Sequence, residues 1–128
     1  MPVTIIHLFR ESPDRTSEFF EWITELEETD PRAFVKCLAR LRDLAQRGSE
    51  LRRPLVDSLR DGIHELRVKV GRVNYRILYF FCGKNIVCVS HAMTKEREIP
   101  ASEIDLAVQR KRLVEKNPAK HLADVEWE

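Results

Sequence analysis

The chain has 128 residues, a length that suits one domain, and its 43% hydrophobic content can build a core beneath a surface in which 34% of residues are charged. Net charge is only +1, and no apolar run reaches the roughly 18 residues that a membrane-spanning helix needs. The opening MPVTIIHLFR lacks the charged start and long apolar stretch of a signal peptide, and three cysteines without CxxC spacing (Cys37, Cys82, Cys88) read as reduced core thiols of a cytoplasmic protein, with neither a disulfide framework nor a zinc site.

Val3 to Phe9 is apolar and rich in β-branched residues, which predicts a first strand. Ser12-Pro13 reads as a helix start, and Phe19, Trp22, Ile23 and Leu26 follow at i, i+3, i+4 and i+7. Asp30-Pro31 starts a second helix in the same manner. Its stripe is Phe34, Cys37, Leu38, Leu41 and Leu44, and Arg47-Gly48 stops it. A loop is expected through Pro54 to Gly62. Strands are expected at about 63–70, 73–82 and 85–92, and a last helix at about 101–116 after Pro100. Ile104, Leu106, Ala107, Leu113 and Val114 are its apolar positions, and Arg110, Lys111 and Arg112 read as a solvated basic face. The order is β-α-α-β-β-β-α, an α+β domain over residues 1–117 with a small, mainly antiparallel sheet packed by helices. Residues 118–128 read as a loosely held acidic tail.

Charge is unevenly spread. Residues 1–62 carry 10 Lys/Arg against 12 Asp/Glu, residues 63–117 carry 11 against 6, and residues 118–128 carry 1 against 3. A basic middle between acidic flanks points to a localised anion-binding surface.

The stretch HELRVKVGRVNYRILYFF, residues 64–81, sharpens that reading. A two-residue turn at Gly71-Arg72 pairs Lys69 with Asn74 and Arg67 with Arg76. A second such turn at Gly83-Lys84 pairs Phe80 with Val87 and Arg76 with His91. Arg67, Arg76 and His91 then form a row on one sheet face, with Lys69 and Asn74 one step along. Like charges directly opposite are destabilising, so such a row calls for an anion. Each residue also has an alternative. Arg67 can pair with Glu65, Arg76 can reach a carboxylate on a helix, and His91 can be a satisfied strand histidine. Leu78, Phe80, Val87 and Val89 share the basic face toward its far end, where a helix would cover them. Lys95 and Arg97 in MTKEREIP add cations at the sheet end, with Glu96 and Glu98 beside them.

The element order resembles the RelE/HigB toxin superfamily, as do ELR at 65–67, YRILYFF at 75–81, SHAMTK at 90–95 and IPASEIDLAVQR at 99–110. The phage-derived HigB-like branch is the most similar, and the likeness covers about residues 3 to 117. It implies a RelE-like fold and a type II toxin–antitoxin toxin that is an mRNA endoribonuclease acting at the ribosome, held inactive by a helix-turn-helix antitoxin. By position it implies functional roles for Arg67, Arg76, His91 and Lys95. Met93 stands where phenylalanine is usual, and Glu96 where a second lysine is usual.

RNA can be cut without metal when its 2′-OH attacks the adjacent phosphate. In that chemistry Arg67 and Arg76 would clamp the phosphate, because a guanidinium offers two parallel donors. His91 would be the acid or base, and Lys69 or Lys95 would supply a proton or further charge. Lys69, Arg72, Asn74 and Arg97 would carry RNA binding. No cofactor is implied, and no cluster has metal-ligand spacing. Two other functions fit the same family: a ParE-like inhibitor of DNA gyrase, which cuts nothing, and an inactive RNA-binding relative.

Overall fold

A computed structural model describes residues 3–124. Its order is β1 (Ile5–Phe9), α1 (Glu18–Thr29), α2 (Pro31–Arg47), a 3-10 turn, β2 (Val56–Ser58), β3 (Ile63–Val70), β4 (Val73–Gly83), β5 (Ile86–Thr94), α3 (Ala101–Lys116), α4 (Pro118–His121) and β6 (Leu122–Ala123). The domain is α+β, with six strands ordered β2-β3-β4-β5-β1-β6 among the described residues. β1 lies parallel to β5, and the remaining pairs are antiparallel. No helix of the described residues is long and apolar enough to cross a membrane.

Local chemistry places the helices. α1 begins five residues after the expected Ser12-Pro13 start, because Ser17 caps it by accepting from the Phe20 amide. α2 begins where expected. Asp30 accepts from the Ala33 amide, and Pro31 fills the first turn. Gly48 ends α2 with a positive φ, and a Cβ there would collide with Thr4 Oγ1.

The sheet separates two cores. On one face, α1 and α2 bury Phe19, Ile23, Cys37, Leu41 and Leu44 against Leu66, Val68, Ile77 and Tyr79. Burial pushes the Cys37 thiol up to about 12, so it behaves as an apolar core group. On the other face, α3 covers Ile63, Leu78, Phe80 and Cys88 with Ala107, Val108 and Val114. α3 leaves the distal end of that face, toward the β3–β4 turn, uncovered.

The first hairpin has the expected register, with Arg67 opposite Arg76, Lys69 opposite Asn74 and Val70 opposite Val73. The second does not. Its turn is Lys84-Asn85, one residue later than expected, with Asn85 supplying a positive φ of 60°. The pairing then shifts between Phe81 and Gly83 and again between Leu78 and Tyr79. Each one-residue shift flips the face of every later residue in the strand, so the second restores the orientation that the first reversed. Val87 and Val89 consequently pack under α1 and α2, contrary to expectation. His91 remains on the expected face but lies opposite Leu78, and Arg76 lies opposite Met93.

The start of the tail is folded. The residue 118–123 stretch, expected to be loose, forms α4 and pairs β6 with β1. His121 stacks on Phe9 at 5.4 Å, and Arg10 donates to the carbonyls of Ala119 and Lys120. The acidic stretch from residue 125 onward lies outside the described residues.

Candidate nucleic-acid interface

β3 and β4 place Arg67 and Arg76 side by side, and a single carboxylate holds both. Glu65, two residues before Arg67 and therefore on the same face, is 1% exposed. Its Oε1 accepts from Arg67 Nε at 2.7 Å and from Arg76 Nη1 at 2.9 Å. Arg67 Nη2 also donates to Asp57 Oδ2 at 3.0 Å. Arg53 donates to the same carboxyl group, and its hydrogen bond, with the Arg53 and Arg67 charges, holds the Asp57 pKa below the usual carboxylate value. The predicted alternative for Arg67 is thus present, and the carboxylate that reaches Arg76 comes from β3 and not from a helix. Both guanidinium groups keep unused donors. The Arg67 side chain is 38% exposed and that of Arg76 13%.

These side chains line a cleft of about 920 Å³ between β2, β3, β4 and the segment leading to α3. Arg60 and Arg97 also line it, together with Glu98 and Ile99. Arg60 is tied to Asp61 and Asp105. Among the described residues Arg97 and Glu98 have no side-chain ion-pair partner within the cleft, so they present one free cation and one free carboxylate. Arg60 is thus neutralised outside the cleft, and what the cleft offers an anion is the free Arg97 with the unused donors of Arg67 and Arg76.

Arg72, Asn74 and Lys95 line a separate, smaller cleft with Glu96 at the β3–β4 turn, where the Lys95 amide donates to the Asn74 carbonyl. Lys69, exposed and opposite Asn74, stands between the two clefts, about 7 Å along the strand from Arg67. The expected RNA-binding residues therefore lie along one open end of the sheet, with Arg97 nearest Arg67 and Arg76.

His91 is elsewhere. It is 2% exposed beneath α3. Its Nε2 lies 2.9 Å from Glu103 Oε1 and its Nδ1 2.7 Å from Ser90 Oγ. A carboxylate only accepts, so Nε2 carries the proton and the serine hydroxyl donates to Nδ1. Burial, and secondarily the Arg110 charge, lower its pKa, while Glu103 and Glu18 oppose the shift. The register that put His91 beside Arg76 is corrected by the Lys84-Asn85 turn, which falls one residue later than expected, while the two bulges cancel by the time the strands reach His91. Arg110, expected on a solvated face, is buried too. It donates to the Ser90 carbonyl at 2.9 Å and to Glu18 at 2.8 Å, and its guanidinium lies 4.9 Å over the Phe9 ring.

Sequence reasoning missed Asp57 and Arg60, which sit on or beside a strand read as loop. Val56-Asp57-Ser58 is too short to show a period, and only its pairing with Leu66, Glu65 and His64 makes it a strand. Among the described residues no group of three or more His, Cys, Asp or Glu side chains could hold a metal ion.

A search of curated proteins gave no match. The family model described as phage derived protein Gp49-like (DUF891) matches residues 21–112, a span that contains the whole arginine cleft. The chain belongs to this Gp49-like family, a family of RelE/HigB-like toxins.

Proposed function

We propose that the protein is the toxin of a type II toxin–antitoxin system, with a RelE-like fold of the HigB branch, and that it cuts mRNA at the ribosome in the cytoplasm. The observation that carries this reading is the cleft in which Glu65 holds Arg67 and Arg76 side by side while Arg97 stands free. A carboxylate that orients two guanidinium groups leaves their outer donors preorganised for a phosphate. Preorganised charge of this kind is usually the largest catalytic contribution.

The reaction needs no metal. The RNA 2′-oxygen attacks the adjacent phosphorus, the bond to the 5′-oxygen breaks, and the products are a 2′,3′-cyclic phosphate and a 5′-hydroxyl. Arg67, Arg76 and Arg97 offset the charge that builds on the phosphate oxygens. His91, enclosed and committed to Glu103 and Ser90, acts by fixing β5 against α3. Glu98 is the free carboxylate on the cleft wall, and it takes the 2′-OH proton. Lys95 or Lys69, the ammonium groups of the same sheet end, returns a proton to the 5′-oxygen. Arg72 and Asn74 extend the contact along the RNA. A helix-turn-helix antitoxin is the partner that silences the cleft.

A second reading has its own observation. Asp57 and Glu65 already neutralise the two arginines and His91 is sealed, as a non-cutting RNA binder would tolerate. Mapping RNA 5′ ends after induction decides between them, with wild type beside Arg67→Ala/Arg76→Ala. New ends inside translated messages, absent with the variant, support the ribonuclease. Growth arrest without new ends overturns it and points to a ParE-like block of DNA gyrase, tested by supercoiling. Neither arrest nor cleavage leaves the binder.

A further inference from the structure

The opposite face of the sheet carries a second cleft, of about 570 Å³, where α2 ends and β2 passes. That volume falls within the range of small-ligand sites, about 300–1,000 Å³. Three rings line it. His64 stacks on Tyr79 at 5.3 Å and meets Phe81 edge-on at 5.7 Å, while Tyr79 and Phe81 meet edge-on at 6.0 Å. Tyr79 is buried, so His64 and Phe81, both half-buried, form the accessible part of this surface. His64 Nδ1 lies 3.0 Å from Ser58 Oγ, and burial favours its neutral form. Exposed Arg52 and Arg53 stand at the rim.

The two clefts share a wall. Asp57 and Ser58 of β2 line both. β2 is the edge strand of the sheet and is three residues long, so little chain separates them. Asp57 also joins their charges, since it accepts from Arg67 of one cleft and Arg53 of the other. Cations that track a backbone beside half-exposed rings are the combination that binds single-stranded nucleic acid. Bases of single strands are free to splay out and stack on Phe, Tyr or His.

We propose that this second cleft is a nucleobase subsite. A base next to the phosphate held by Arg67 and Arg76 turns over the β2 edge, stacks on Phe81 and meets His64 edge-to-face. Arg52 and Arg53 meet the phosphate that crosses the edge. The subsite rests on the ribonuclease reading of the arginine cleft, and it adds single-stranded RNA as the form of the substrate.

The test uses the full chain and a short single-stranded oligoribonucleotide, 2′-O-methylated so that it cannot be cut. 2-Aminopurine is placed at each position in turn, because its fluorescence is quenched when it stacks. Wild type should quench one position strongly. Phe81→Leu, which keeps an apolar side chain but removes the ring face, should abolish that quench and weaken binding about ten-fold. Arg67→Ala/Arg76→Ala should weaken binding yet keep the quench at saturation. Circular dichroism checks folding. If Phe81→Leu does not fold, His64→Leu decides by the same readout.

Wild-type binding and quench in both ring variants overturn the subsite. So does an absence of quench at every position, or of binding altogether. If unmodified RNA is nonetheless cut in a manner that needs Arg67 and Arg76, the ribonuclease reading survives that loss. A quench that needs Phe81 in a protein that cuts nothing has the reverse meaning: the subsite stands and the ribonuclease reading falls.

Discussion

Arg67 and Arg76 are direct cross-strand neighbours, two cations set opposite each other on one sheet face. Like charges in that position repel, and Glu65 makes the arrangement stable by accepting from both. Removing one partner of a buried ion pair strands the other charge. One side of this cluster meets the open cleft, where water screens it, so Glu65→Gln should cost about 2 kcal/mol in urea denaturation. Sulfate should restore more stability to Glu65→Gln than to wild type, because an anion can take the carboxylate's place. Equal sulfate responses would show that the two arginines do not form an anion site.

Among the described residues Arg97 lacks a carboxylate partner in the cleft, which separates its role in stability from its role in function. Arg97→Ala should leave the melting temperature unchanged while lowering the single-turnover cleavage rate by about 10²-fold. Arg67→Ala should lower both rate and stability, since it also releases Asp57 and Glu65.

His91 sets a pH dependence. Its pKa in the folded protein lies below the ordinary value, through burial first and the Arg110 charge second. At this residue the unfolded chain therefore binds more protons as pH falls through about 6.5, and the contribution of His91 to stability drops as pH falls below about 7. His64, also lowered by burial, adds to the same slope. The melting temperature of His91→Gln, followed from neutral pH down to about 5, should fall less steeply than that of wild type. Parallel curves would remove His91 from this account.

Arg110 ties three elements together, through the Ser90 carbonyl of β5, Glu18 of α1 and the Phe9 ring of β1. The Arg110 side chain is 9% exposed and that of Glu18 56%. Arg110→Ala should cost about 3 kcal/mol because it strands buried acceptors and opens a cavity, whereas Glu18→Ala should cost less than about 1 kcal/mol. Chemical denaturation of the two variants measures the contrast. Equal losses would contradict it.

Truncation after Asn117 should destabilise the domain. It removes the ring stacked on Phe9, the carbonyls that Arg10 contacts, and the strand that covers the β1 edge. Uncovering Phe9 in this way should cost about 2 kcal/mol. The amide of Arg10, which donates to the His121 carbonyl, should lose its protection from hydrogen exchange.

Local pattern alone determined much of this protein. Apolar spacing placed α2 and α3, with the Asp30 cap starting one and Pro100 preceding the other, and the Gly71-Arg72 turn set the register that brings Arg67 to Arg76. These features depend on neighbours a few residues apart, which a sequence displays directly. The position of His91 depended on the second turn falling at Lys84-Asn85, one residue later than Gly83-Lys84, and the faces of Val87 and Val89 depended on two bulges that cancel before His91. A period-two pattern carries no mark of them. Glu65 could be suspected from its spacing to Arg67, but its hold on Arg76 required the paired strands. Asp57 entered the cleft through a three-residue strand that exists only because β3 offers it an edge. Buried Arg110 looked like one of three solvated cations, because the partners that offset its burial lie 20 and 92 residues away. Sequence thus set which side chains could bind an anion. Tertiary structure decided which of them meet in one cleft, since charges are paired by distance in space and that distance is fixed only when the sheet and its three long helices pack together.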